Sequence, residues 1–250
     1  VSQITPEILL GIFLIFCRLG GCLMIAPGFS SNRIPMQVRL FIGLATSLAL
    51  APVLLEKIQA GITSQAPAAI LVYIGSELLT GILIGLLGRV YFLALQTMLS
   101  AVAMALSFGM PGTPIDEAEP LPPISSFIMM VATAVLFLSD LHWELFRGLI
   151  ASYSRLPLGE GLGTSLSLTQ LVDQISVAFV LALRISSPFI LYSVIVNLAV
   201  GLTNKLTPQI PVYFLATPFV MIGGLLIVYF AASDYVLLFM DAFSTWLRDG

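Results

Sequence analysis

The stretch Arg18-Leu-Gly-Gly-Cys-Leu-Met-Ile-Ala26-Pro27-Gly-Phe-Ser-Ser-Asn-Arg33-Ile-Pro35, running on to Arg39, decides how the chain is read. It sets an arginine inside an apolar run, leaves that run through a Pro-Gly turn and enters a short basic loop. A charge at the centre of a bilayer costs at least about 2.5–3.5 kcal/mol unless a partner or water receives it. A soluble domain has little use for such a pattern. Composition carries the same conclusion to all 250 residues: 58% are hydrophobic and 9% charged, and mean hydropathy is +1.05. Soluble domains carry roughly a quarter charged residues.

Outward from this stretch, apolar runs recur at lengths that suit a hydrocarbon layer, for which about 20 helical residues are needed. They cover residues 8–26, 40–55, 68–87, 90–108, 124–138, 175–201 and 212–232. The second and fifth are short for a full span. A last piece, 235–246, is shorter still and is expected to cap the bundle or lie at an interface. Pro27, Pro35, Pro67, Pro157, Pro208 and Pro211 mark connections. Pro188 and Pro218 fall inside runs and predict kinks that free backbone carbonyls, tolerable only against protein or water. The expected fold is an all-α membrane bundle of about seven hydrophobic helices, one domain over residues 1–250.

Two connections are longer. Residues 109–123 hold five prolines with Asp116, Glu117 and Glu119, so they are not helical throughout. Residues 140–163 open with an amphipathic piece whose apolar face is Leu141, Leu145, Phe146, Leu149, Ile150 and Tyr153. With seven spans, an outside N-terminus collects Arg33, Arg39, Arg89, Arg147 and Arg155 in inner loops, with Arg248 in the inner tail, and leaves Lys57 and Lys205 outside. The first run lacks a basic leader and is interrupted by Arg18, so a cleavable secretory signal is not expected.

Net charge is −3 with no basic cluster, which argues against nucleic acid as a partner. Cys17 and Cys22 read as packed thiols rather than a disulfide. His142 is the single histidine, no cluster has metal-ligand spacing, and no phosphate loop or nucleophile elbow occurs. Asp140, Asp173, Asp234 and Asp241 all sit at run ends. Neither an enzyme nor a cofactor is expected.

The ionisable residues within or beside runs are Arg18, Glu77, Arg89 and Arg184. Glu77 is placed to neutralise Arg18 or Arg184. Interhelical ion pairing is the simpler reading than a proton relay, which needs several acids in depth. Arg89 stands at the expected turn between runs three and four, within reach of the interface. The segment Glu77-Leu-Leu-Thr-Gly81-Ile-Leu-Ile-Gly85-Leu-Leu-Gly88-Arg89 spaces Gly81 and Gly85 as GxxxG, followed by Gly88. Such spacing strips side chains from one helix face and admits a close neighbour. Gly20–Gly21 and Gly223–Gly224 say the same. Phe108, Gly109, Met110 and Pro111 lie where the fourth run passes into the Pro-rich connection. They read either as an exposed connector or as a jointed loop whose two bulky side chains close an aqueous path.

Several stretches together resemble the FliR family of flagellar export proteins and its virulence-secretion relatives, the SctT proteins. They are Arg18-Leu-Gly with Ala26-Pro-Gly-Phe; Ile34-Pro-Met-Gln-Val-Arg39-Leu through Ala51-Pro; and Glu77-Leu-Leu-Thr-Gly-Ile-Leu-Ile-Gly. Ser107-Phe-Gly-Met, Leu136-Phe-Leu-Ser-Asp140-Leu-His142, Ser154-Arg-Leu-Pro157-Leu-Gly159 and Thr207-Pro-Gln-Ile-Pro follow in order. Each is weak alone; the colinear set is specific. The sequence departs from the family at Leu141, where many relatives carry glycine, and in the acidic segment 111–123.

The resemblance implies an export-gate subunit in the bacterial inner membrane at the flagellar basal body. Residues 1–170 would be FliP-like and residues 171–250 a FliQ-like helical hairpin with a tail. Its implied partners are FliP-like and FliQ-like subunits, an FlhB-like export component and the unfolded flagellar proteins that pass. It also makes the loop at Phe108–Met110 a plug. Two alternatives remain. One is the virulence-type SctT subunit. The other is a small secondary transporter working around Arg18, Glu77 and Arg184, weakened because the two halves show no matching interrupted runs.

Overall fold

The computed structural model describes residues 5–31, 34–107, 122–158 and 168–249, which form seven α-helices and, among these residues, no strand. The helices are α1 Pro6–Ile25, α2 Met36–Gly61, α3 Pro67–Ala105, α4 Pro123–Leu138, α5 Leu141–Arg155, α6 Leu168–Leu206 and α7 Val212–Asp249. Pro6, Pro67 and Pro123 are first helical residues, where a missing N–H costs nothing and φ is already helical. Five helices (α1, α2, α3, α6 and α7) are long and apolar enough to cross a membrane, or six spans if α4 and α5 count as one broken span. The chain is an all-α, multi-pass membrane protein, as expected, but its helices are divided differently.

Runs three and four are one helix: α3 continues for 39 residues through Gly88 and Arg89. One glycine costs only about 1 kcal/mol against alanine and does not stop a well-packed helix. The turn expected at Arg89 is therefore absent. Residues 235–246 are not a separate cap but the end of the 38-residue α7, since Ala231-Ala-Ser-Asp234 holds neither proline nor glycine. The second run is not short either; α2 is 26 residues long and carries Pro52 inside it. With three and four fused, loops no longer alternate as seven spans required, and the tally that put the N-terminus outside loses its basis.

The connection out of α1 is a turn in which Gly28 takes φ 83°, a left-handed conformation that glycine adopts without penalty. Arg39, on the first turn of α2, folds back over it. Its Nη2 donates to the Ser31 carbonyl at 2.6 Å, and Nε and Nη2 both donate to the Ile34 carbonyl. Between α4 and α5 the chain turns sharply at Asp140, also left-handed at φ 58°, which its short polar side chain tolerates.

The chain groups into two compact units: Val1–Val90, Leu136–Ser176 and Ser244–Gly250 form one, and Tyr91–Val135 with Val177–Phe243 the other. The first unit has a core of Leu14, Ile15, Leu19, Cys22, Leu54, Ile58, Leu145, Leu149 and Tyr153. Cys17 and Cys22 are both buried, free thiols. The second unit is centred on Val102, Leu106, Phe189 and Val220. An aromatic group also belongs to it, in which Phe92 meets Phe239 and Phe243 edge-on at 5.1 and 5.6 Å. Within this unit the Tyr192 hydroxyl of α6 donates to the carbonyls of Phe219 and Val220 on α7. Gly223 leaves room for it, because a Cβ there would strike the phenol oxygen. Pro188 removes the N–H that would bond the Arg184 carbonyl, and the Ser187 hydroxyl bonds it instead at 2.8 Å.

Candidate functional site

Arg18 lies on the inward face of α1 with Leu14, Ile15, Cys22 and Leu19, and is only 1% exposed. Its guanidinium is answered almost completely. Nε donates to Glu77 Oε2 at 2.7 Å and Nη2 to Glu77 Oε1 at 2.6 Å, a two-pronged pair with an equally buried carboxylate. Nη1 donates to Ser152 Oγ at 3.1 Å, and Nη2 also donates to the Leu156 carbonyl at 2.9 Å. The Tyr153 ring lies against its face, 3.9 Å from Cζ to the ring centroid. Four of the five N–H donors of an arginine are thereby used. Leu156 immediately follows α5, so the cation also complements the carbonyl end of that helix.

The reach of Glu77 depends on the glycines one and two turns beyond it. A Cβ on Gly81 would fall onto the Arg18 carbonyl oxygen, and one on Gly85 would sit 2.6 Å from the Cys22 carbonyl oxygen. From the other side, a Cβ on Gly21 would lie 2.9 Å from the Leu78 carbonyl oxygen. Helices α1 and α3 therefore touch backbone to backbone, which brings the short carboxylate side chain up to the guanidinium. Gly88 is less stringent: its neighbours are Pro27 at 3.3 Å and the Trp246 ring at 3.5 Å.

Of the residues singled out from sequence, Arg18, Glu77, Gly81 and Gly85 come together, with Gly88 two turns beyond Gly81. Arg184 does not join them; it is exposed on α6, so its expected burial in an ion pair within this chain is not observed. Phe108, Gly109, Met110 and Pro111 lie outside the described residues. Sequence reasoning missed Ser152, Tyr153 and Leu156. The amphipathic pattern had put Tyr153 on an inward face, but no local signal pairs it with an arginine far away in the chain. His142 packs between Phe137 and Trp143, at centroid distances of 5.5 and 5.4 Å. Among the described residues no group of His, Cys, Asp and Glu is placed to hold a metal.

One buried cation ties α1, α3 and α5 together, and removing its partner would leave an unpaired charge worth about 3–5 kcal/mol.

Comparison with known proteins accords with this architecture. The chain is 25% identical over 232 residues to flagellar biosynthetic protein FliR of Caulobacter vibrioides, covering 92% of this chain and 91% of the relative. It is 28% identical over 225 residues to the protein of that name from Aquifex aeolicus, covering 89% and 85%. It is 27% identical over 204 residues to that of Escherichia coli, covering 80% and 76%. The model of the bacterial export proteins, family 1, matches residues 9–246. With nearly the whole chain inside that match, the protein belongs to family 1 of the bacterial export proteins.

Proposed function

We propose that this chain is a core subunit of the flagellar export gate in the bacterial inner membrane, where it helps wall the channel by which unfolded flagellar proteins leave the cytoplasm. Membership of the export family and likeness to FliR proteins support the flagellar export role. The observation that supports an assembled gate is the length of the apolar helices. Large apolar side chains are exposed on α6 from Val172 to Leu206, a stretch of about 51 Å at 1.5 Å per residue. A hydrocarbon layer is about 30 Å thick. Fitting the stretch inside it needs a tilt of about 54°, beyond the roughly 0–40° that membrane helices show. A bend at Pro188 does not help, since at least one arm must then tilt that far or farther. Helix α3 repeats the excess, from Leu71 at 70% exposed to Met104 at 70%.

Surface beyond the layer calls for cover by protein rather than lipid, and this reading takes that cover from other subunits. The occupants this reading assigns are FliP-like and FliQ-like subunits, with an FlhB-like component beside them. The arginine centre holds the α1–α3–α5 corner rigid, and the loop at Phe108–Pro111 serves as the plug of the path. The work is geometric rather than chemical. The test is purification of the tagged chain from membranes of cells that also express the FliP-like and FliQ-like proteins. Stable co-purification of both is expected; a monodisperse chain that associates with neither refutes the reading.

A further inference from the structure

Arg184 is a charge that the described residues leave unanswered. It lies about 24 Å along α6 from Leu168 and about 33 Å from Leu206. Its side chain is exposed, and no described residue pairs with its guanidinium. Around it the exposed surface is apolar, with Val180 60%, Leu183 44% and Leu191 64% exposed. Acyl chains do not receive a guanidinium cheaply. A lipid headgroup at Arg184 would require the apolar surface to end there. Instead Val172, Ile175 and Phe179 continue it on one side, and Leu191, Leu198 and Leu206 on the other. Headgroups at this depth would leave one apolar arm outside the hydrocarbon layer, where only protein could cover it.

A covering helix satisfies both arms and the charge if it is apolar along its length and acidic at one point. We infer that Arg184 receives a carboxylate from an apolar helix of a different subunit, laid along the exposed face of α6. A second copy of this chain fits poorly. Copies inserted with the same orientation run α6 parallel to α6, which sets Arg184 beside Arg184. Pro188 lies one turn beyond Arg184 within the continuous α6. Ser187, exposed one turn on, has its hydroxyl committed to the carbonyl freed by Pro188 and does not compete for the guanidinium. This inference rests on the assembly proposed above and adds the chemistry of one contact to it.

The experiment uses the full tagged chain, expressed in cells with the other export subunits and purified from their membranes. Arg184→Leu is cheaper than arginine against lipid, so the variant should reach the membrane in undiminished amount. Its recovery of partner subunits should fall at least about tenfold, because the partner carboxylate is left unpaired. Arg184→Glu should lose the partners as well. Changing, one at a time, each Asp and Glu in the apolar helices of the co-purifying subunits to Lys should restore assembly of that variant in one case. Full recovery of partners by Arg184→Leu overturns the inference. So does rescue of Arg184→Glu by none of those changes, or by altered anionic phospholipid content alone. If the unaltered chain recovers no partners, the assembly itself is refuted. If it does and Arg184→Leu does equally, only the contact at Arg184 is wrong.

Discussion

Glu77→Ala tests the arginine centre most sharply. The substitution leaves Arg18 at 1% exposure with its two shortest hydrogen bonds gone and only Ser152, the Leu156 carbonyl and the Tyr153 ring to hold it. Breaking a buried pair from one side costs about 3–5 kcal/mol. At about 2–4 °C per kcal/mol for a chain of this size, the unfolding midpoint of the purified protein should drop by about 6–20 °C. Replacing both partners, as Arg18→Met with Glu77→Leu, removes the charge together with its need. That double variant should recover most of the loss, because buried pairs are often no better than well-packed apolar residues. The assay is thermal unfolding in one detergent, run as a double-mutant cycle. If the double variant is as unstable as the two single losses added together, the unpaired charge is not what destabilises Glu77→Ala, and the reasoning fails.

The backbone contact of α1 and α3 predicts that Gly81→Ala and Gly85→Ala each cost at least about 1–3 kcal/mol, since a carbonyl cannot rotate away as a side chain can. Gly75→Ala, where a Cβ meets nothing within 4 Å, should be neutral or stabilising by up to about 1 kcal/mol; thermal unfolding of the three side by side checks this. In the second unit, Tyr192→Phe should cost about 0.5–1.5 kcal/mol through lost hydrogen bonds. Gly223→Ala should displace the same phenol, so the two should fall short of additive in a cycle.

The apolar runs, the proline-set helix starts and the pairing of Gly81 with Gly85 were legible in the sequence because each is local: a period, a φ preference, a spacing. Fusion at Gly88–Arg89 was not legible. A Gly-Arg step between two apolar runs looks like a turn until Pro27 and Trp246 are seen packed on the glycine. The same holds for α7, whose polar step at Ser233–Asp234 resembles an ending but contains nothing that breaks a helix. Glu77 had two candidate cations in the sequence, Arg18 and Arg184, and no local rule chooses between them. The glycine crossing chose Arg18 by bringing the α1 backbone to α3. Ser152 and Leu156 join through 134 and 138 residues of separation, a link that only packing reveals. The fifth run is short, as expected, at 16 residues in α4, whereas α3, α6 and α7 at 39, 39 and 38 residues exceed a bilayer, and the excess demands cover that lipid does not give.

That demand can be measured along α6. Single cysteines at Val172, Val180, Leu191, Leu198 and Leu206, each carrying a spin label in the complex taken from native membranes, report collisions with lipid-soluble oxygen residue by residue. Oxygen access is expected over no more than about 20 consecutive residues, with the remaining apolar positions shielded from both oxygen and a water-soluble relaxant. Access to oxygen at all five positions in that same complex would contradict it.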